Sequence, residues 1–166
     1  MNRKEEALAS YNKVIEINPD FAGAYTNKGL LLFSMNRKEE AFACYNKEIE
    51  INPNNSNAHN NKGVVLNDLN RKEEALASFN KVIEINPDFA GAYTKKGHLL
   101  SSMNRKEEAL ACYNKTIEID PNNDVSYIFI TGGVLYKLNR KEGALPSYSV
   151  GEINLSNQIF TIEQSN

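Results

Sequence analysis

Apolar residues recur at steps of three and four near the start of the chain, and charged or amide side chains fill the positions between them. This spacing places the apolar side chains on one side of a helix with about 3.6 residues per turn, which predicts an amphipathic helix over residues 2–17. A proline at position 19 disfavours helical backbone at the residue before it, so the helix is expected to end there. The apolar positions are Ala7, Leu8, Tyr11, Val14 and Ile15.

A second helix is predicted from about residue 22 to residue 35, where the helical period is followed by Tyr25, Gly29, Leu32 and Met35. Asn36 comes directly after it. Asparagine is the best substitute for glycine at a left-handed helix stop, so we expect this residue to end the second helix. The pattern of the first helix then begins again.

Both patterns return at a fixed period. The motif that opens with Asn-Arg-Lys starts at residues 2, 36, 70 and 104, which are 34 residues apart, and a degraded copy starts at residue 139. A fixed period of this length indicates stacked helix pairs that share one core with their neighbours. The predicted units are a half repeat at 1–21 with a second-type helix only, repeats at 22–55, 56–89 and 90–123, and a degenerate repeat with a tail at 124–166. Here the helix that opens each complete repeat is called first-type, and the helix that closes it second-type.

At the positions that carry this pattern, the chain resembles the tetratricopeptide repeat family. The resemblance covers about residues 2–145 and implies an all-α fold, an α-solenoid of antiparallel helix pairs in a right-handed superhelical stack. A departure is a lysine before the repeat glycine, where the family often has leucine. In the second unit the matching residues are Tyr25, Gly29, Leu32, Ala41, Tyr45 and Pro53, and the next two repeats match as His59, Gly63, Leu66, Ala75, Phe79 and Pro87, then Tyr93, Gly97, Leu100, Ala109, Tyr113 and Pro121.

The repeat glycine has a structural cost. Glycine inside a helix is about 1 kcal/mol less favourable than alanine, yet one recurs in every repeat at positions 29, 63, 97 and 132. Such repetition predicts close approach of a neighbouring helix. The expected partner is the small residue twelve positions later, which is Ala41, Ala75, Ala109 or Ala144.

Composition narrows the classes of function. The 166 residues carry a formal net charge of −2, with 41% hydrophobic and 24% charged residues. The absence of excess cations argues against a nucleic-acid partner, and the absence of a long apolar run argues against a membrane span. Without a signal-peptide core the chain is expected to be cytoplasmic. Cys44 and Cys112 are two repeats apart, too far for a disulfide in a stack, and are expected to be small, half-buried apolar residues.

The resemblance implies that first-type helices line a concave groove. Residues there differ between copies while the scaffold residues repeat, which favours a protein or peptide ligand bound in this groove. Asn27 and Asn61 offer amides to an extended peptide backbone, and Lys95 offers a cation to a carboxylate. The groove is expected to have apolar ends and a polar centre. The predicted binding residues are Asn27, Leu30, Phe33, Asn60, Asn61, Val64, Lys95 and His98.

Some members of the family bind acidic chaperone tails through a two-carboxylate clamp. Asn61 and Lys95 match two of its five positions, and Thr26, Leu30 and Gly91 do not match the others, so this clamp is not expected here. The sequence contains no phosphate loop, nucleophile elbow or metal-ligand spacing. We therefore expect no enzyme activity, no cofactor and no metal.

A second hypothesis is self-assembly. The chain opens on a second-type helix that has no first-type partner before it, which leaves an apolar edge. A second copy of the chain that covers this edge would give a homo-oligomer, either a dimer or an end-to-end stack.

Overall fold

The computed structural model describes residues 3–121, and within that range the chain is a row of seven α-helices without strands. The all-α repeat fold is confirmed. The degenerate repeat and the tail predicted at 124–166 lie outside the described residues. The helices are α1 Arg3–Ile17, α2 Ala22–Ser34, α3 Lys38–Ile51, α4 Ser56–Asp68, α5 Lys72–Ile85, α6 Ala90–Ser102 and α7 Lys106–Ile119.

Each helix packs mainly on its neighbours in the sequence. The most extensive contacts join α2 with α3, α4 with α5, and α6 with α7, and smaller contacts join each pair to the next. α1, a second-type helix, packs on α2. Each of these three pairs joins the first-type and second-type helices of one predicted complete repeat. This is the arrangement expected of a stack, in which each unit contacts only its neighbours along the chain.

The left-handed stop predicted at Asn36 is confirmed, and it recurs in two further repeats. Asn36 and Asn70 have φ of 59°, and Asn104 has φ of 61°. After α2, the backbone N–H of Arg37 donates to the carbonyl of Leu32 at 2.9 Å, and that of Asn36 donates to the carbonyl of Phe33 at 2.9 Å. These two bonds form a Schellman motif, which satisfies carbonyls at the helix end and turns the chain into the next helix.

At Gly29, Gly63 and Gly97 the predicted close approach is confirmed, but the nearest partner is not the predicted alanine. Gly132 and Ala144 lie outside the described residues. A Cβ atom built on Gly29 would lie 2.7 Å from the ring of Tyr45, and one on Gly63 would lie 2.7 Å from the ring of Phe79. The nearest atoms therefore belong to the aromatic residue of the second-type helix and not to the alanine. The glycine makes room for a ring, and the ring needs more space than an alanine methyl group.

The core lies between the two kinds of helix. Buried side chains form one cluster around Tyr45 and Leu32 and another around Phe79, Leu100 and Tyr113.

The two cysteines belong to this core. Cys44 and Cys112 are free thiols and are buried, more deeply than the half-burial predicted for them. Burial raises the pKa of both thiols, as expected for cysteines that serve as apolar packing residues.

Arginine and glutamate pair along the surface at the start of the second-type helices. Arg71 donates through Nε and a terminal nitrogen to both carboxylate oxygens of Glu74, at 2.7 and 2.6 Å. The other two complete repeats have the same geometry, in the pairs Arg37 with Glu40 and Arg105 with Glu108. These cations therefore have partners within their own helix turn.

Candidate peptide-binding groove

The predicted groove residues lie on the first-type helices α2, α4 and α6. α4 also contacts α6 directly, in addition to packing on α5. Because equivalent residues are 34 positions apart, side chains at the same place in each helix form rows that cross the helices. The predicted residues fall into three such rows, together with Phe33, which is half-buried and packs against the core cluster that contains Tyr45.

The first row consists of Asn27, Asn61 and Lys95. Asn27 is exposed, and the other two side chains are half-buried. Asn61 accepts a long hydrogen bond of 3.5 Å at Oδ1 from the amide of Asn60, which leaves its own amide nitrogen for another partner. The row therefore presents two amides followed by a cation.

The ammonium group of Lys95 is partly desolvated, unlike those of the exposed lysines. Burial lowers the pKa of its ammonium, and within residues 3–121 it has no ion pair and no side-chain hydrogen bond. Its Nζ lies 3.9 Å from the place that a Cβ atom on Gly91 would occupy, so the ammonium lies over the first turn of α6. A partly desolvated cation without a counter-ion is stabilised by a carboxylate that approaches it.

The second row consists of Leu30, Val64 and His98. Leu30 is 47% exposed, whereas Val64 is half-buried and packs against the core cluster that contains Phe79. The ring of His98 stacks edge-on against Tyr113, with 5.7 Å between ring centroids. Although the residue as a whole is exposed, this packing removes water from the ring. Desolvation and then the charge of Lys95 lower the pKa of His98.

The third row, Thr26, Asn60 and Thr94, turns towards the interior. Thr94 is buried, and its hydroxyl lies 3.2 Å from that of Thr116 on α7. Asn60 is 9% exposed, which makes it the least exposed of the predicted groove residues. Its Oδ1 is buried and has no hydrogen-bond partner among the described residues. The structure thus separates Asn60 from the more accessible side chains of the first two rows.

A buried carboxylate, which the periodic pattern does not single out, lies on α3. Glu48 is 1% exposed and its Oε1 accepts a hydrogen bond of 2.7 Å from the amide of Asn55. Asn55 in turn caps α4 by accepting from the backbone N–H groups of Asn57 and Ala58. Comparison of the repeats could have identified this residue from the sequence. Its equivalents in the other copies are Val14, Val82 and Thr116, which are all uncharged.

Within residues 3–121, no helix has the length and apolar content needed to cross a membrane.

Comparison with protein families finds two matching sequence profiles. The profile described as "Tetratricopeptide repeat" matches residues 22–55, 56–89 and 90–123. A second, described as "TPR repeat", matches residues 1–36. Comparison with curated protein sequences finds no match.

Many solved structures are similar. MamA 41-end from Desulfovibrio magneticus RS-1 superposes with a TM-score of 0.77 at 20% identity, over 98% of this chain and 87% of that one. The first TPR of Spaghetti (RPAP3) bound to HSP90 peptide SRMEEVD has a TM-score of 0.68 at 23% identity, over 71% and 93% of the two chains. YrrB, described as a TPR protein with an unusual peptide-binding site, has a TM-score of 0.71 at 25% identity, over 88% and 75%.

The repeat profiles cover most of the chain, and the helix pairs, glycine–aromatic contacts and solved neighbours agree with them. This chain belongs to the tetratricopeptide repeat family.

Proposed function

We propose that this protein is a non-enzymatic interaction scaffold that binds an extended peptide segment, with an acidic residue of the ligand placed against Lys95. Tetratricopeptide repeat proteins are protein-interaction scaffolds, and this supports the general class. The observation that carries the specific proposal is Lys95 itself. It is a half-buried cation on the side of α6 that is predicted to face the groove, and it has no ion pair within residues 3–121.

The neighbouring side chains suit such a ligand. Asn27 and Asn61 stand in the same row as Lys95, and an amide can both donate to and accept from a peptide backbone. Leu30 and Val64 stand in the next row and offer apolar contact area. The ligand that fits has an acidic centre and at least one apolar flank.

Two structural neighbours support a peptide as the ligand. The Spaghetti structure holds the acidic peptide SRMEEVD, and the YrrB structure is described by its peptide-binding site. The two-carboxylate clamp is not part of the proposal, because Thr26, Leu30 and Gly91 stand at three of its positions. We therefore propose one carboxylate contact at Lys95 and no second one.

The test is a fluorescence-polarisation assay with a library of peptides that have acidic centres and apolar flanks, together with a matched library whose central acids are replaced by lysine. We expect the wild type to bind members of the acidic library. Lys95→Glu is expected to weaken that binding by at least about tenfold, which corresponds to about 1.4 kcal/mol, because attraction is replaced by repulsion.

Lys96→Glu is the matched control. The next residue along a helix is turned by about 100°, and Lys96 lies near Glu108 and Cys112 of α7, so the same charge change there should leave binding almost unchanged. Equal binding of the two libraries, or unchanged affinity in Lys95→Glu, would contradict the proposal.

Self-assembly is the second candidate function, and one observation favours it. Val14 on α1 is 36% exposed, whereas Val82 at the equivalent place on α5 is 0% exposed. An apolar side chain that is buried in one copy of a repeat and open in another indicates a surface that a further helix can cover.

A further inference from the structure

α1 exposes a face that is more deeply buried in the other described second-type helices. Its Val14 corresponds to Glu48, Val82 and Thr116, which are at most 1% exposed. Ile17 is 84% exposed, although its equivalents at positions 51, 85 and 119 are half-buried. The same contrast holds for Ala7 and Tyr11, which are half-buried where the equivalent alanines and aromatic rings are buried. The name α1 face is used below for Ala7, Tyr11, Val14 and Ile17.

The complete repeats show what kind of element covers such a face. In each of them a first-type helix lies across it and sets a glycine against the aromatic ring. A Cβ on Gly97 would approach the Tyr113 ring to 2.5 Å, and one on Gly63 would approach the Phe79 ring to 2.7 Å. Because a real Cβ does not fit at these distances, a helix that docks on the α1 face in the same way must present a glycine to Tyr11.

The chain carries a sequence of this kind beyond the described residues. In residues 124–138, Gly132 precedes Leu135 by three positions, as Gly29 precedes Leu32, and the Asn-Arg-Lys motif follows at residue 139. The second-type sequence that should cover this segment is degraded, with a glycine at position 143 and a proline at position 146. Proline inside a helix costs about 3 kcal/mol. Residues 124–138 therefore have a first-type sequence that is followed by a degraded second-type sequence. They complement α1, a second-type helix whose partner face is exposed.

We propose that the α1 face of one copy binds residues 124–138 of a second copy, so that the two elements form one composite repeat. A second copy is the occupant that can reach this face. Within one chain the segment follows closely after α7, and five helices separate α7 from α1. The inference deepens the second candidate function and does not depend on the groove.

This contact is heterologous, because it joins two different surfaces of the chain. Each copy that uses its α1 face keeps its own 124–138 segment for the next copy, so association continues end to end unless a ring closes. Contact of one α1 face with another would instead stop at a dimer.

The test uses the full chain and two variants that each remove one side of the contact. Val14→Lys/Ile17→Lys places two cations on the α1 face at exposed positions. Gly132→Leu adds a side chain at the position of the docking segment that must approach Tyr11. By sedimentation velocity across a wide concentration range, we expect the wild type to form chains, and each variant alone to self-associate at least about 30-fold more weakly.

Mixing the two variants gives the decisive result. The first retains an intact segment and the second retains an intact α1 face, so their mixture is expected to form a heterodimer of one copy of each. A monomeric wild type at all concentrations would overturn the proposal. Self-association of Gly132→Leu at wild-type strength would also overturn it, because the contact would then join two α1 faces.

Two further variants serve as controls. Gly132→Ala favours a helix yet still adds a Cβ, so it should weaken assembly in the same direction even if Gly132→Leu disturbs its own chain. Leu30→Lys makes the same kind of apolar-to-lysine change at an exposed residue of the predicted groove, and it should leave assembly unchanged. Weaker assembly of Leu30→Lys would place the contact in the groove and overturn the proposal. A wild type that assembles but binds no peptide would contradict only the proposal of peptide binding in the groove.

Discussion

Glu48 stands at a place where the other copies of the helix carry valine or threonine. The copies show that an uncharged residue fits there, since Val82 and Thr116 are as deeply buried as Glu48. Burial raises the pKa of Glu48, and the nearby hydroxyl group of Thr26 opposes part of that rise. The carboxylate is thus tolerated at a cost, and its hydrogen bond to Asn55 recovers some of that cost.

The raised pKa of Glu48 sets the sign of a pH dependence. Between the ordinary value of 4.5 and the raised value, the folded chain holds a proton that the unfolded chain has lost. The contribution of this group to stability is therefore full below pH 4.5 and falls as the pH rises through the folded-state pKa.

Glu48→Gln keeps the shape and the acceptor for Asn55 but removes the charge. We expect it to be more stable than the wild type at pH 8, by about 1–3 kcal/mol, the typical cost of a poorly compensated buried polar group. The difference should shrink towards pH 4, and urea unfolding at several pH values measures it. Glu84→Gln, at an exposed residue paired with Lys81, is the control and should change stability by less than about 0.5 kcal/mol. A difference for Glu48→Gln that does not vary with pH would contradict this account.

At the scale of the element, the repeating unit is a pair of helices that pack closely where a glycine of the first-type helix meets an aromatic ring of the second-type helix. The mid-helix glycine lowers helix propensity, but it lets the first-type helix approach the aromatic side chain of the second-type helix. The Schellman motif at Asn36, Asn70 and Asn104 then turns each pair into the next with nearly the same backbone angle. The glycine–ring contact and the Schellman motif recur together, so the described complete repeats share a backbone geometry as well as a sequence.

Gly63→Ala tests the close approach. The added methyl group would meet the Phe79 ring, which is buried and cannot move freely. Overpacking costs about 1–3 kcal/mol and alanine recovers about 1 kcal/mol of helix propensity. We expect a net loss of up to about 2 kcal/mol in the free energy of unfolding, measured by denaturant titration.

Gly23→Ala is the matched control, since its Cβ would meet only the exposed ring of Phe21, at 3.3 Å, and should cause no loss. Adding Phe79→Leu to Gly63→Ala should cost less than Phe79→Leu costs the wild type, because the two changes share one space. If Gly63→Ala behaved like Gly23→Ala, the close approach would not limit the packing of this pair.

At the scale of the whole molecule, the helices form a row in which each contacts mainly its neighbours. Stability in such a stack is shared locally, so an end helix opens more readily than a central one. α1 packs on α2 and keeps an open apolar face on its other side. We therefore expect α1 to be the least stable of the described helices and the one that a further helix would stabilise most.

Hydrogen exchange read by mass spectrometry checks this distribution. In dilute protein we expect the amides of α1 to exchange fastest among the described helices and those of α4 and α5 to exchange slowest. At high concentration, protection should increase mainly in α1, because assembly covers its face. Uniform exchange along the row would show that the chain opens as a single unit.

Much of this architecture was determined by the sequence alone. The helix bounds, the 34-residue period and the left-handed asparagines depend on neighbours along the chain, so periodicity and local backbone preference predict them. The exposure of Val14 and Ile17 on α1 agrees with the apolar edge predicted for this helix. The eight groove residues were proposed from equivalence between repeats and remain a prediction.

Tertiary structure decided the features that depend on how one helix is rotated against another. That rotation set the repeat glycine against an aromatic ring and not against an alanine, and it buried Glu48 and Asn60 while leaving Leu30 open. The helical period of the sequence assigns a residue only to one side of its helix. Only the packed neighbour determines whether that side chain meets a ring, a hydrogen-bond partner or water.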